Sequence, residues 1–190
     1  MDSIEESWRE LEKACLGCEK CGLHETRTKV VFGKGSREAK IMLVGEAPGE
    51  SEDREGLPFV GRAGKLLDLY MGYVDLSLEN VYIANILKCR PPKNRDPEEA
   101  EKDSCIDYLR LQTKLINPKI IVCLGRISAM RIIKPEFKIT AEHGAWFKKG
   151  DIWMTAIYHP SALLRDPPKK AEALADFKEV RKKAAELGIL

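Results

Sequence analysis

No stretch of the chain approaches the ~20 consecutive apolar residues needed to cross a bilayer. The opening Met1-Asp2-Ser3-Ile4-Glu5 also lacks the basic-then-apolar pattern of a secretory leader. The expectation is a protein that works inside the cell, in cytoplasm or nucleoid, with no membrane partner. A charge excess is missing too: 32 Lys and Arg stand against 30 Asp and Glu, a formal net charge of +2. That excludes strong global attraction to nucleic acid and leaves any such binding to local patches. Nor is there an internal repeat, a low-complexity tail or a composition break, so 1–190 reads as a single domain, long enough to bury a core. In a reducing compartment the six cysteines are not expected to pair as disulfides, and their spacing is read for metal or cluster ligation.

What is present is organised around Lys40 to Lys65. Ile41 to Val44 is an apolar run of the kind a buried parallel strand needs, and Gly45-Glu46-Ala47-Pro48-Gly49 stops it. A polar stretch follows to Gly56. Leu57-Pro58-Phe59-Val60 then returns to apolar surroundings, and Gly61-Arg62-Ala63-Gly64 starts a helix. Further strands are predicted at about 80–87, 119–125 and 152–158. Helices are predicted near 3–14, 62–73, 97–116 and 126–133, with a last one after Pro167-Pro168 running to about Leu187. Ile4, Trp8, Leu11, Ala14 and Cys15 form the apolar stripe of the first helix. Asp96, Pro97 and Glu99 read as the capped start of the helix over 97–116. Strands alternating with helices imply an α/β fold with a mostly parallel sheet covered on both faces, so the carboxyl ends of the strands share one edge.

That edge receives Glu46 after the first strand, Asn85 late in the second, Gly125 after the third and His159 after the fourth. Each alone reads as a turn or cap residue. Together with Phe59 they form a pocket suited to a flat, polar, hydrogen-bonding ring, placed where open α/β sheets bind ligands. Near the amino terminus Cys15, Cys18 and Cys21 recur every third residue among Gly, Glu and Lys, a pattern for a metal or cluster rather than for helix packing. The spacing allows Cys15 or Cys18 as partner of the segment, and His24 reads as structural. Cys123, inside the run Ile120 to Leu124, reads as buried.

At this point the motifs are recognisable. G-E-A-P-G-E-S-E-D at 45–53, L-P-F-V-G-R-A-G at 57–64, N-I-L-K-C-R-P-P-K-N-R at 85–95 and H-P-S-A-L-L-R at 159–165 resemble the family 4 uracil-DNA glycosylases. So does C-E-K-C-G-L-H at 18–24 with T-R-T at 26–28 and V-V-F-G at 30–33. The resemblance implies a three-layer α/β/α sandwich with a central four-stranded parallel sheet, a [4Fe-4S] cluster, and hydrolysis of the N-glycosidic bond of deoxyuridine in DNA. By motif position it implies Cys18, Cys21, Cys89 and Cys105 as cluster ligands, with Cys18 preferred to Cys15 by the family's frame. It also implies uracil-containing DNA as partner, other base excision repair proteins as further partners, and a monomer.

The chemistry of that reaction assigns roles. Phe59 would stack the extruded base, and Asn85 would pair with O4 and N3–H, a pattern cytosine reverses. Gly45, Glu46 and Ala47 would form the adjoining wall, which in the family excludes the thymine methyl group. A neutral His159 would donate to O2 as charge develops there. Glu46 is the first candidate to orient the attacking water, with Glu52 or Asp53 behind it. Family 1 enzymes have an aspartate where this chain has Ala47, so their base is not carried over. Lys88, Arg90, Lys93 and Arg95, and Arg165, Lys169 and Lys170 beyond H-P-S, read as phosphate contacts, with Ser161 adding its hydroxyl. Leu163 resembles the wedge that fills the gap left by the flipped nucleotide; its alternative is to cover the last helix. Rival classes are a nucleotide-binding α/β protein without glycosylase activity, an iron–sulfur electron carrier, and a zinc-stabilised DNA-binding module.

Overall fold

The computed structural model describes residues 2–190. Its strands are β1 (Lys34–Gly35), β2 (Ile41–Gly45), β3 (Val81–Asn85), β4 (Ile120–Leu124), β5 (Phe147–Lys149) and β6 (Ile152–Ile157), joined in one sheet of order β1-β3-β2-β4-β6-β5. The inner four pair in parallel, and the two edge strands pair antiparallel to them. The expected four-stranded parallel sheet is therefore the centre of a mixed, six-stranded one. Edge strands of two and three residues are too short to leave an alternation in the sequence.

Every residue of β2, β3 and β4 is buried, which explains their unbroken apolar character. Successive residues turn to opposite faces. Met42, Val44, Ala84, Cys123 and Ala156 join Trp8, Leu11, Ile106 and Leu109 in one core. Ile41, Leu43, Ile83, Val122 and Ile157 join Leu67, Tyr70, Phe177 and Val180 in the other. The first face is covered by α1 (Asp2–Leu16) and α4 (Glu99–Ile116), the second by α3 (Arg62–Tyr73) and α8 (Lys170–Glu186), which makes the three layers. Each fully buried large side chain contributes about 1.5–3 kcal/mol of transfer free energy, so the two cores dominate stability.

Shorter helices complete the chain: α2 (Glu50–Glu55), α5 (Arg126–Ile132), α6 (Ile139–Glu142) and α7 (Pro160–Arg165). Two local expectations are corrected. In α1 the inward stripe is Trp8, Leu11 and Cys15, while Ile4 is 59% exposed. In α4 the N-cap is Glu98, not Asp96: Glu98 and Glu101 exchange side-chain and backbone bonds in a capping box, so the helix starts later than Pro97. Asp96 pairs instead with Arg126 at 3.1 Å. Among the described residues no helix is long and apolar enough to cross a membrane.

The strand order sets where a ligand can enter. From β2 the chain crosses to β3 on one side, then returns past β2 to β4 and continues to β6. The order reverses between β2 and β4, and a crevice opens there beyond the carboxyl ends of the strands.

Candidate active site

A cleft of about 500 Å³ occupies that crevice, lined by Glu46, Ala47, Phe59, Asn85, Gly125 and His159 among others. The strand tips expected to share an edge do so. Gly45 and Asn85 are register partners across the β2–β3 ladder. A Cβ on Gly45 would lie 2.3 Å from Asn85 Oδ1 and 2.8 Å from Phe59 Cζ, so only glycine lets the amide and the ring approach. Asn85 is 2% exposed, and its Oδ1 has no hydrogen-bond partner. A buried acceptor left unpaired costs about 1–3 kcal/mol, and here it belongs to the pocket.

Phe59 adopts φ +52, a left-handed conformation that costs a bulky residue about 1–3 kcal/mol and persists only where its surroundings enforce it. Three features enforce it. Lys34 Nζ donates to the Phe59 carbonyl at 3.1 Å. The next two amides, Val60 and Gly61, both donate to Glu52 Oε1 at 2.9 Å. Finally, α3 passes so close that a Cβ on Gly64 would sit 2.0 Å from the Phe59 oxygen. The Phe59 and His159 rings are 5.7 Å apart between centroids.

His159 is the N-cap of α7, and the Ser161 amide donates to its Nδ1 at 3.1 Å, with Ser161 Oγ 2.7 Å from the same atom. In the neutral ring the proton therefore sits on Nε2, leaving that atom a donor. Burial pushes the pKa of His159 down to about 4; Arg165 acts in the same direction and Glu52 opposes it. The Glu46 carboxyl is held above its ordinary pKa by burial and by Asp96, against Arg126 and Lys102. Glu46 lies half-buried at the cleft.

The two acidic residues considered behind it have other partners. Glu52 clamps the Phe59 loop, and the buried Asp53 accepts the Thr28 amide through Oδ1 at 2.9 Å. Both lie on α2, a helix missed in the sequence. Its signal was present: acids in the first turn, Arg54 in the last, and Gly56 closing it at φ +81. The sequence reading also passed over Asp96 and Arg126, which line the cleft; Arg126 directly follows the glycine at the tip of β4.

Two proposed DNA contacts are corrected. Lys88 is 1% exposed and donates through Nζ to the Phe32 carbonyl (3.1 Å) and Gln112 Oε1 (2.7 Å), out of reach of any phosphate. Leu163 is 1% exposed in the core beside α8, so it covers that helix and is not a free wedge. Arg95 is held bidentate by Glu101 at 2.6 and 2.9 Å. Arg90 bonds Asn94 at 2.8 Å, while Arg165 is exposed at the cleft margin and Ser161 is half-buried there.

Cys18, Cys21, Cys89 and Cys105 line a common cavity with Leu23, Arg27 and Tyr108. Arg27 Nη1 points at Cys89 Sγ (3.4 Å) and the Lys88 amide at Cys105 Sγ (3.3 Å). Burial raises the Cys89 thiol pKa and takes Cys105 to about 11. Cys15 lies outside the cavity, packed with Trp8 and Leu11, its thiol pushed up to about 12, and Cys123 is buried in β4. His24 bonds the Cys21 carbonyl at 2.8 Å, a structural role. Among the described residues no three His, Cys, Asp or Glu side chains close on a point as a single ion requires. Four soft thiols around a cavity, two of them met by N–H donors, fit the chemistry of an iron–sulfur group.

Fold and cleft together define an α/β protein with an open crevice at the switch point of its sheet. The chain belongs to the uracil DNA glycosylase superfamily, whose family model matches residues 32–183. It is 44% identical over 190 residues to the type-4 uracil-DNA glycosylase of Archaeoglobus fulgidus, covering 95% of this chain and 92% of that one. It is 42% identical to the type-4 uracil-DNA glycosylase of Sulfurisphaera tokodaii, covering 97% and 86% of the two chains. With that of Saccharolobus solfataricus it shares 43% identity over 86% of this chain and 80% of the other.

Proposed function

We propose that this protein, with residues 1–190 acting as one domain, is a uracil-DNA glycosylase that flips deoxyuridine out of DNA and hydrolyses its N-glycosidic bond. Uracil and an abasic site are the products, which makes the reaction the opening step of base excision repair. The observation that carries the reading is the buried, unpaired Oδ1 of Asn85 in a cleft shared with Phe59 and a neutral His159. Extruding the nucleotide costs a few kcal/mol, and stacking on an aromatic returns about 1–3 kcal/mol per base.

Asn85 Oδ1 accepts the uracil N3–H and its amide nitrogen donates to O4, a match that cytosine lacks. The Gly45-Glu46-Ala47 turn walls the side where thymine carries its methyl group. As the bond breaks, charge gathers on O2 and His159 donates Nε2–H to it; a neutral donor spares the site a second desolvated charge. Glu46 orients the water that attacks the cationic sugar.

A [4Fe-4S] cluster on Cys18, Cys21, Cys89 and Cys105 would supply cross-linking of the amino-terminal segment to the loop after β3. Arg90, Arg95, Ser161 and Arg165 hold the DNA backbone around the cleft, Arg95 by exchanging Glu101 for phosphate. The reading is tested with cluster-replete protein on an oligonucleotide carrying one uracil, followed by alkali and scored for strand breaks against thymine and cytosine controls. Intact uracil strands would refute it, and binding of free nucleotides without abasic sites would favour a nucleotide-binding protein.

A further inference from the structure

The loop between the thiol cavity and β1 is tied at both ends to chemistry. Arg27 Nη1 donates to the Cys18 carbonyl at 2.6 Å and meets Cys89 Sγ at 3.4 Å, so one guanidinium spans the amino-terminal and post-β3 halves of the thiol set. The next residue, Thr28, gives its amide to Asp53 Oδ1 at 2.9 Å. Asp53 is 4% exposed, and this is an attachment of α2 to the thiol-bearing segment. One residue before it, Glu52 holds the Val60 and Gly61 amides, immediately after Phe59 in its strained conformation. Five hydrogen bonds thus link the thiols to the platform of the cleft.

We propose that Arg27 and Asp53 are positioning residues that couple occupancy of the four-thiol site to the geometry of Phe59. The reasoning is mechanical. A left-handed phenylalanine relaxes when the bonds that enforce it loosen. Two of those bonds, the ones Glu52 accepts from Val60 and Gly61, come from α2, and α2 is anchored through Asp53 to the segment that the cluster orders. Loss of the cluster frees that segment, α2 shifts, and the ring leaves its stacking position. The consequence for uracil excision rests on the function proposed above; the coupling itself does not.

The test is amide hydrogen exchange at Val60 and Gly61 in cluster-replete and iron-chelated protein, for wild type, Asp53→Ala, Asp53→Asn and Arg27→Met, with folding followed by far-UV circular dichroism. In wild type, chelation is expected to speed exchange at these two amides about tenfold. In cluster-replete Asp53→Ala the visible absorbance of the cluster persists, exchange is already fast, and chelation adds little. Asp53→Asn keeps an oxygen for the Thr28 amide and behaves as wild type. Arg27→Met exchanges fast with or without iron, and it decides the matter if Asp53→Ala does not fold. kcat/KM for uracil release falls in parallel by about tenfold, the scale of one weakened base–aromatic stack. Unchanged exchange in folded, chelated wild type, or slow exchange in the folded Ala or Met variants, overturns the coupling. A wild type that releases no uracil overturns the proposed function and leaves the exchange comparison to decide the coupling.

Discussion

Acidification gives the sharpest test of the neutral His159. Its pKa is lowered from the ordinary 6.5 to about 4, with burial the main cause and Arg165 next. The unfolded chain therefore binds a proton that the folded chain refuses between these values. His159 supports the fold fully above about pH 6.5, and that support is lost as pH falls toward and through about 4. Integrating the linkage from about pH 7.5 to about pH 4.5 gives a loss of about 2–3 kcal/mol from this one group, most of the shift at 1.36 kcal/mol per unit. The assay is urea unfolding across that range for wild type and for His159→Gln, whose carboxylates titrate alike in both proteins and cancel in the difference. The stability of wild type is expected to fall about 2–3 kcal/mol further than that of the variant. Arg165→Gln, which removes the second cause, shrinks the difference. Parallel pH profiles for wild type and His159→Gln, or an imidazole that titrates by NMR near 6.5, would refute the reasoning.

Asn85→Ala removes two base-pairing groups at about 1–1.5 kcal/mol each and is expected to lower kcat/KM about 100-fold. Its melting temperature, measured by circular dichroism, is expected not to fall, because the buried unpaired oxygen disappears with the side chain. Leu163→Ala, at a packed core position, is expected to cost about 2–5 kcal/mol in chemical denaturation; a solvent-facing wedge would instead lose activity at unchanged stability. Arg90→Gln and Arg165→Gln are each expected to reduce the slope of log affinity against log salt by about 0.9, read by fluorescence anisotropy on DNA. Lys88→Met is expected to leave that slope unchanged and to weaken the fold, since its ammonium is spent on Phe32 and Gln112.

The parts of this site legible in the sequence were those that follow from chain direction. Parallel strands put their carboxyl ends on one edge, so Glu46, Asn85, Gly125 and His159 had to be neighbours once the four apolar runs were recognised. What the sequence could not reveal was which way a charged or apolar side chain turns within a motif. Lys88 and Arg90 read alike as cations beside a pocket, yet the residue next to Cys89 on the strand side faces inward, where Gln112 from α4 waits. Leu163 and Leu164 are adjacent, and only the helical phase of α7 sends the first into the core. Cys15 and Cys18 are separated the same way: α1 continues to Leu16, which fixes Cys15 on its buried stripe and leaves Cys18 beyond the helix, free to face the cavity. The short edge strands and α2 were missed because two to six residues offer no periodicity, only end signals.

These details bear on why the molecule can hold such a site at all. An unpaired buried amide oxygen, a phenylalanine at φ +52, an imidazole denied its proton and a carboxyl raised in pKa all lie around one cleft. The first two each cost about 1–3 kcal/mol, a large share of the net stability of a small domain, and the other two add a cost that depends on pH. They are tolerable because they sit at the tips of strands whose bodies are buried on both faces, so the two cores resist relaxation of the rim. The same arrangement makes the cleft selective. A ligand that restores the missing partner of Asn85 and presses against Phe59 recovers energy already stored in the fold, whereas one that lacks an N–H at the matching position leaves that penalty in place. On the function proposed above, discrimination between uracil and cytosine would be set before any DNA arrives, by the register of Gly45 against Asn85.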